Sequence, residues 1–413
     1  MEMVVGLDIG TSCIRVVIGE SDENGALKIA GTSHEKSVGM RNGNIVNIEA
    51  VAASIRRAVE NAEQNAGMDV RSCYTAIGGD QIEGINASGK VAVSPKDNRP
   101  REIDRGDIER VRQSATAVPL SLDREILHVI TQDYIVDHVS GIKEPLHRLG
   151  VCLESAVHIV TASTTTIQNI NACINRADLL VDCIMLKTIA ATKAVATSDE
   201  EELGSIIIDL GAGSTDFLIL LKGAPVYTGS IPIGGNIVTN DIAIVKGISV
   251  AEAEHIKVEA GVCWDGCVQQ GRKVIIGGLG GGRPPEEMEQ QELCNIISPR
   301  IEEIFNMIRA EIIRKTTITD LFGNIILTGG GAKMDGVIEI AQEVFDVDAV
   351  RIGRPKKLGG IEEDYEGPEW ATAVGLILSA ENEADSVKFK RKTSASDNKS
   401  GDNILKKIFN SLF

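Results

Sequence analysis

One short design occurs twice in this chain, and the recurrence limits what it can fold into. Near the start, Asp8-Ile9-Gly10-Thr11-Ser12 follows the apolar run Val4-Val5-Gly6-Leu7. Asp209-Leu210-Gly211-Ala212-Gly213-Ser214-Thr215-Asp216, 201 residues later, follows Ile206-Ile207-Ile208. Each reads as a strand, a tight turn and a second strand. Glycine lets backbone amides approach an anion that a Cβ would hold off, and the Ser and Thr hydroxyls add donors. Successive N–H groups in such a turn form a concave anion site. The leading aspartate suits Mg²⁺, which takes one or two carboxylates with waters and phosphate oxygens. A single copy is an ordinary hairpin turn, since turns favour Asp and Gly on their own account. Two copies point to a clamp on a nucleotide.

A third segment completes the set. Asn324-Ile325-Ile326-Leu327-Thr328 reads as a buried strand that runs into Gly329-Gly330-Gly331-Ala332 and then a helix from Gly336 to Phe345. A glycine turn and a helix N-terminus suit a phosphate or a ribose. In this order the three segments resemble the phosphate-one, phosphate-two and adenosine motifs of the actin, Hsp70 and sugar-kinase superfamily. The resemblance implies an α/β, actin/Hsp70-like duplicated fold, with two domains around a nucleotide cleft and one hairpin motif in each half. Other nucleotide motifs are absent or defective. Gly84 to Lys90 has P-loop spacing, but Val91 stands where a Ser or Thr would reach Mg²⁺. No GxGxxG follows a strand, and there is no HExxH, paired CxxC or GxSxG.

The length of 413 residues allows two or more domains with full cores. Only 3% of the residues are aromatic, so packing must rest on Ile, Val, Leu and Ala. Eight cysteines lie scattered, several in apolar stretches (Cys13, Cys73, Cys183), as expected of reduced thiols in a cytosolic protein. Cys263 and Cys267 form a CxxxC without a second pair, so no metal site is expected there. The chain opens directly in a strand, without the basic and apolar regions of a signal peptide, and no run of about 18 apolar residues occurs. A net charge of −17 argues against nucleic acid as a partner.

That charge is uneven. Between Lys388 and Phe413 seven basic residues face only Asp397 and Asp402, a net +5 before the terminal carboxylate, which leaves −22 for the body. Residues 385–402 are polar and read as a flexible linker. In 403–413, at about 100° per residue, Ile404, Leu405, Ile408, Phe409, Leu412 and Phe413 fill one half of a helical wheel, and Lys406, Lys407, Asn410 and Ser411 the other. Such a helix lies in the headgroup plane with its lysines toward anionic lipid, each adding about 1 kcal/mol. A helix docking on its own domain or on a partner has the same amphipathicity; the linker and the terminal position favour the membrane.

With both signals on the page, the chain resembles the FtsA family, bacterial actin homologues that tether FtsZ filaments to the membrane at the division site. Further matching stretches are Ile231 to Ala243, Ala253 to Lys257, Gly281 to Pro285, Arg351 to Gly353 and Ala371 to Leu376. The resemblance implies ATP and Mg²⁺ as cofactors. Asp8 and Asp209 would lie near the metal, through water, with Gly10, Thr11 and Ser12, and Gly211, Gly213, Ser214 and Thr215, around the phosphates and Gly235 and Asn236 beside them. Glu254 and Lys257 would reach ribose and adenine, with Gly329, Gly330 and Ala332 closing the adenosine side. The residues themselves say that Glu254 and Lys257, three apart, share one helix face.

The expected organisation follows. Residues 1–81, 161–202 and 368–384 form the first actin-like domain. Residues 82–160 are an inserted small α+β subdomain, with strand-like runs at 89–93, 126–135 and 157–161 and a helix at 104–116. Residues 203–367 form the second domain, with about 241–322 its smaller lobe. In the FtsA family the insertion contacts the next subunit of a filament. A helix is expected to start near Ser298-Pro299 and run from Arg300 to Ile313 with a core stripe of Ile301, Ile304, Phe305, Ile308 and Ile312. The family's FtsZ C-terminal peptide binds in this region, so exposed Arg300, Asn306 and Arg309 are the partner candidates, against a merely solvated polar face.

Many superfamily ATPases orient the attacking water with a Gln or Glu after a strand of the first domain. Met185-Leu186-Lys187-Thr188-Ile189-Ala190 offers neither. ATP is therefore expected to act as a conformational ligand, with no enzymatic role beyond slow or vestigial hydrolysis. The expected partners are the FtsZ peptide, further copies of the chain, anionic lipid and later division proteins, at the cytoplasmic face of the inner membrane. Two alternatives remain, a PilM-type scaffold of pilus assembly and a small-molecule kinase of the same superfamily.

Overall fold

The computed structural model describes residues 3–21, 26–94, 99–277, 285–316, 323–360 and 365–380. The linker at 385–402, the terminal helix at 403–413 and most of the Gly281 to Pro285 stretch lie outside the described residues.

Continuous apolar runs such as Ile206-Ile207-Ile208 make strands buried on both faces, and the structure builds two mixed sheets around them on one plan. In the first, Met3–Ile9 turns back as Cys13–Ser21 and again as Leu27–Lys36. On its other side Met3–Ile9 runs parallel to Ser72–Ile77, which is parallel in turn to Leu180–Leu186. In the second sheet, Ser205–Leu210 turns back as Thr215–Leu221 and Ala224–Ile231 and runs parallel to Asn324–Thr328, beside Val350–Ile352. Three antiparallel strands followed by two parallel ones, in both halves, are the duplication that the paired hairpins imply.

A parallel neighbour needs a crossover. In the first half the helix Ile48–Ala66 supplies it, capped by Asn47, whose side chain accepts from the Ala50 amide, and ended by Gly67 in the left-handed conformation. Its Val51, Ile55, Ala58, Val59 and Ala62 are buried. Small residues set the closest packing. A Cβ on Gly375 would collide with the Ala190 carbonyl, so the helices Ala371–Ala380 and Lys187–Val195 touch backbone to backbone. That contact fixes where the second of these helices begins, and hence where Lys187 sits.

Between Ser72–Ile77 and the helix Thr164–Arg176 lies a separate four-stranded sheet, in the order Val139–Ile142, Arg124–Val136, Cys152–Ser163, Ile82–Ala92. The helix Arg105–Thr116 covers it, over a core of Val111, Ile103, Tyr134, Val136 and Leu153. Asp104 and Asp107 form a reciprocal capping box, and buried Asp107 takes a bidentate pair from Arg101 at 2.7 and 2.8 Å. The strand Ile82–Ala92 contains the P-loop-like spacing, so that segment is extended ladder and not a phosphate loop. This sheet leans on the second half. Asn86 Nδ2 donates to Val226 O at 2.8 Å, Gln132 Nε2 to Pro225 O at 2.7 Å, and His158 Nε2 meets Thr228 Oγ1 at 2.8 Å.

The helix expected from Ser298-Pro299 is longer, Gln290–Lys315, with Pro299 inside it. Proline is tolerated here because Leu293, Cys294 and Ile297 continue the buried stripe of Ile301, Ile304, Phe305, Ile308 and Ile312; burial outweighs the lost hydrogen bond.

Candidate functional site

The carboxyl ends of Met3–Ile9 and Ser205–Leu210 open on one cleft, where ligands of α/β sheets bind. Asp8 and Asp209, both buried, stand at those ends. The two turns beyond them close identically: the Gly10 amide donates to Cys13 O and the Gly211 amide to Ser214 O, both at 3.1 Å. The turns meet closely enough that a Cβ on Gly213 would come within 2.6 Å of Thr11 Oγ1. The Thr11 hydroxyl accepts from the Gly43 amide at 3.0 Å, Ser214 donates to Asp216 at 3.1 Å, and Thr215 to Ile233 O at 2.8 Å.

The helix Gly235–Lys246 is stitched to the second turn at its start, with the Gly235 amide donating to Gly211 O at 2.9 Å and the Asn236 amide to Ala212 O at 2.8 Å. Opposite, on the helix Val250–Ala260, Lys257 Nζ reaches Glu254 at 2.7 Å, Thr239 Oγ1 at 2.8 Å and Gly235 O at 3.2 Å, and Thr239 also donates to Glu254. Gly329 has φ +82°, and a Cβ there would strike Asp209 Oδ1. The cleft, of about 330 Å³, thus has one half built of glycine turns, carboxylates and amides. Val238, Val258, Ile301, Ile304 and Met334 line an apolar half. That is the polarity of a nucleotide, phosphates at one end and a flat base at the other.

Asn236 and Ala332 are placed differently from the other expected residues. Asn236 stays beside the second turn and lines the groove that continues from the cleft, with Thr11, Ser12 and Gly213. Ala332 is buried in the core of the second half, because a 3₁₀ turn, Gly330–Lys333, intervenes before the helix Val337–Phe345 and turns its methyl inward. Gly331, Lys333 and Met334 line the cleft in its place.

The family model described as Cell division protein FtsA matches residues 206–375, and that of the SHS2 domain inserted in FtsA matches 79–161. A Cell division protein FtsA of Borreliella burgdorferi is 41% identical over 95% of this chain and 94% of its own length. That of Pseudomonas aeruginosa is 39% identical over 91% and 89%. The chain belongs to the FtsA family of cell division proteins. Solved structures agree on the actin-like fold. A PilM-PilN type IV pilus biogenesis complex aligns with TM-score 0.63 at 18% identity over 91% of this chain and 98% of the other. MreB5 of Spiroplasma citri bound to ADP aligns at 0.52, 13% identical over 90% and 95%, and a MamK double helical filament at 0.51, 15% identical over 92% and 98%. At these identities the pilus protein shares the fold alone, and the sequence relatives place the chain with FtsA.

Arg15 and Lys187 of this FtsA-family chain also line the cleft outside the expected set. Arg15 pairs across the first hairpin with Asp8, lines the cleft and stacks over Trp370 at 5.6 Å. Lys187 begins the helix Lys187–Val195, with its Nζ 3.2 Å from Asp209 Oδ2 and 4.0 Å from Asp8 Oδ1. Burial opposes the lysine's charge, but Asp209, Asp8 and Asp216 outweigh it and hold its pKa above the ordinary value. Burial raises the pKa of Asp8, against the pull of Lys187 and Arg15, and burial likewise raises that of Asp216 against Lys187. A divalent cation held directly by both Asp8 and Asp209 does not fit this arrangement, since an ammonium already bridges them. The signal for Lys187 was its position directly after the edge strand Leu180–Leu186, whose carboxyl end opens on the same cleft.

Of the three partner candidates, Asn306 and Arg309 are exposed, as expected. Arg300 is not: it is half-buried, pairing with Asp241 at 2.7 and 3.2 Å and with Glu303. The helix Gly235–Lys246 packs beside it and offers the carboxylate, so its guanidinium ties two helices together. No helix among the described residues is long and apolar enough to cross a membrane.

Proposed function

We propose that this chain is an ATP-binding, actin-like cell division protein that polymerises and anchors FtsZ filaments to the cytoplasmic membrane at the division septum. The observation that carries the reading is the convergence of two hairpin turns and the Gly329 turn on one cleft with a glycine-lined and an apolar half. The nucleotide carried by MreB5 and the filament formed by MamK, on the same fold, support nucleotide binding and self-association.

In this cleft the turn amides and hydroxyls would hold the phosphates, and Glu254 and Lys257 would face the ribose and base. Lys187, and no Gln or Glu, stands at the strand end where a water-orienting residue would work, so ATP acts as a conformational ligand with slow or vestigial hydrolysis. The basic, amphipathic segment at 403–413 supplies the hold on anionic lipid at the inner membrane's cytoplasmic face. Asn306 and Arg309 remain candidates for the FtsZ C-terminal peptide.

Co-sedimentation with anionic liposomes, comparing the full chain with one ending at Ser386 in ATP with and without that peptide, tests the reading. The full chain alone is expected to pellet and to carry the peptide with it. If both chains stay in solution, the tether is wrong and the terminal segment is a docking element.

A further inference from the structure

Lys187 is an unusual choice for its position. It opens a helix, where the backbone dipole disfavours a cation, and its side chain is only 19% exposed, so the ammonium loses much of its hydration. Both costs are met by carboxylates from the two halves of the molecule. Lys187 and Asp8 belong to the first half, and Asp209 to the second. Asp209 Oδ2 is shut off from solvent and accepts no other hydrogen bond among the described residues. Its other oxygen backs onto Gly329, where even a methyl group would collide. The Asp209 carboxylate is therefore fixed from behind by the glycine turn and engaged in front by the ammonium. Lys187 also lines the cleft along with Gly10, Thr11, Gly211 and Gly213, the residues of the two anion-binding turns.

We infer that Lys187 is a tethered counter-cation for the nucleotide phosphates, standing where a divalent ion would otherwise bridge carboxylate and phosphate, so that this chain binds ATP without requiring a metal. The inference rests on the nucleotide reading of the cleft. A single ammonium carries half the charge of Mg²⁺, and Arg15, across from Asp8 on the same cleft, adds a second fixed cation. Together they match the charge of the ion, and neither is removed by a chelator. While Lys187 bridges Asp8 and Asp209, a free divalent ion must displace it to reach either acid, so the metal-only affinity of the cleft is low. Exchanging the ammonium for a neutral side chain frees both carboxylates and creates the metal dependence that the native chain lacks.

Equilibrium titration of ATP into the full-length protein, in EDTA and in excess MgCl2, is the test. The native chain is expected to hold ATP with affinities within about threefold of each other in the two conditions. Lys187→Gln is expected to bind about tenfold or more weakly in EDTA and to recover in MgCl2. Titration of MnCl2 alone, without nucleotide, is expected to show saturable binding to Lys187→Gln and none to the native chain. If the native chain loses more than about tenfold in EDTA, the inference falls while the nucleotide reading stands. If Lys187→Gln binds as the native chain does in EDTA, the inference falls as well. If ATP binds in neither condition, the nucleotide reading itself fails and takes this inference with it. The EDTA and MgCl2 comparison on the native chain needs no variant, so the outcome does not depend on whether Lys187→Gln folds.

Discussion

The two hairpins share a backbone and differ in charge. In both, an aspartate ends the first strand and a residue seven positions later pairs with it across the ladder, yet that residue is Arg15 in the first half and Asp216 in the second. The first hairpin thus carries a cation of its own, although Lys187 acts on Asp8 more strongly than Arg15 does. The second carries two buried acids, and its compensation comes from the other half, through Lys187 on Asp209 and through the Gly79 amide on Asp216 at 2.7 Å. The lesson is that duplicated scaffolds can hold their halves together by making one self-sufficient and leaving the other in need of its neighbour.

The largest effect should follow from removing the shared cation. Lys187→Met leaves buried Asp209 and Asp8 without their partner and should cost about 3–5 kcal/mol in urea denaturation; adding Asp209→Asn should restore part of it. A loss below about 1 kcal/mol would make the bridge incidental. Next comes the turn behind Asp209. Gly329→Ala combines strained backbone with a collision and should cost about 2–3 kcal/mol, whereas Gly330→Ala, whose Cβ would meet nothing within 4 Å, should stay within about 0.5 kcal/mol. Equal effects at the two glycines would show that the Gly329 conformation is not what matters.

The cross-strand pair gives a smaller contrast. Asp216→Ala orphans the Gly79 amide, for about 1–3 kcal/mol, while Arg15→Ala forfeits mainly its contact with Trp370, about 0.5–1 kcal/mol. The reverse order would break the idea that the second hairpin is the dependent one.

The smallest effect at neutral pH concerns the insertion, which only the first half has. Burial pushes the pKa of His158 down to about 4 from its ordinary 6.5, so the folded protein keeps it neutral between Asn86 and Thr228. The unfolded chain takes up the proton first. The contribution of His158 is whole above pH 6.5 and is lost as pH falls from 6.5 through about 4. The urea midpoint of the native chain should drop across that window more steeply than that of His158→Asn; parallel curves would mean that His158 is not the sensor.

Much of this was legible in the sequence because it is local. Strand, glycine turn and strand are written in consecutive residues, and so are the strand and glycines at 324–332. What was not legible depends on residues brought from far away. Lys187 looks like a missing Gln or Glu until Leu180–Leu186 is laid beside Ser72–Ile77 and its end is carried to the cleft. Arg300 reads as a surface cation until the helix bearing Asp241 packs against it. Pro299 looks like a helix start because its local rule is strong, and only the buried stripe running through it overrules that. Ala332 misled for the opposite reason, since a short 3₁₀ turn shifts which residue of a glycine-rich stretch faces the cleft.

Hydrogen–deuterium exchange of the full-length chain with and without ATP most directly tests whether both hairpins clamp one nucleotide. The expected result is slowing at Gly10 to Cys13, at Gly211 to Ser214 and at Gly329 to Ala332 together, at the same ATP concentration. Slowing at only one hairpin, or at neither, would contradict it.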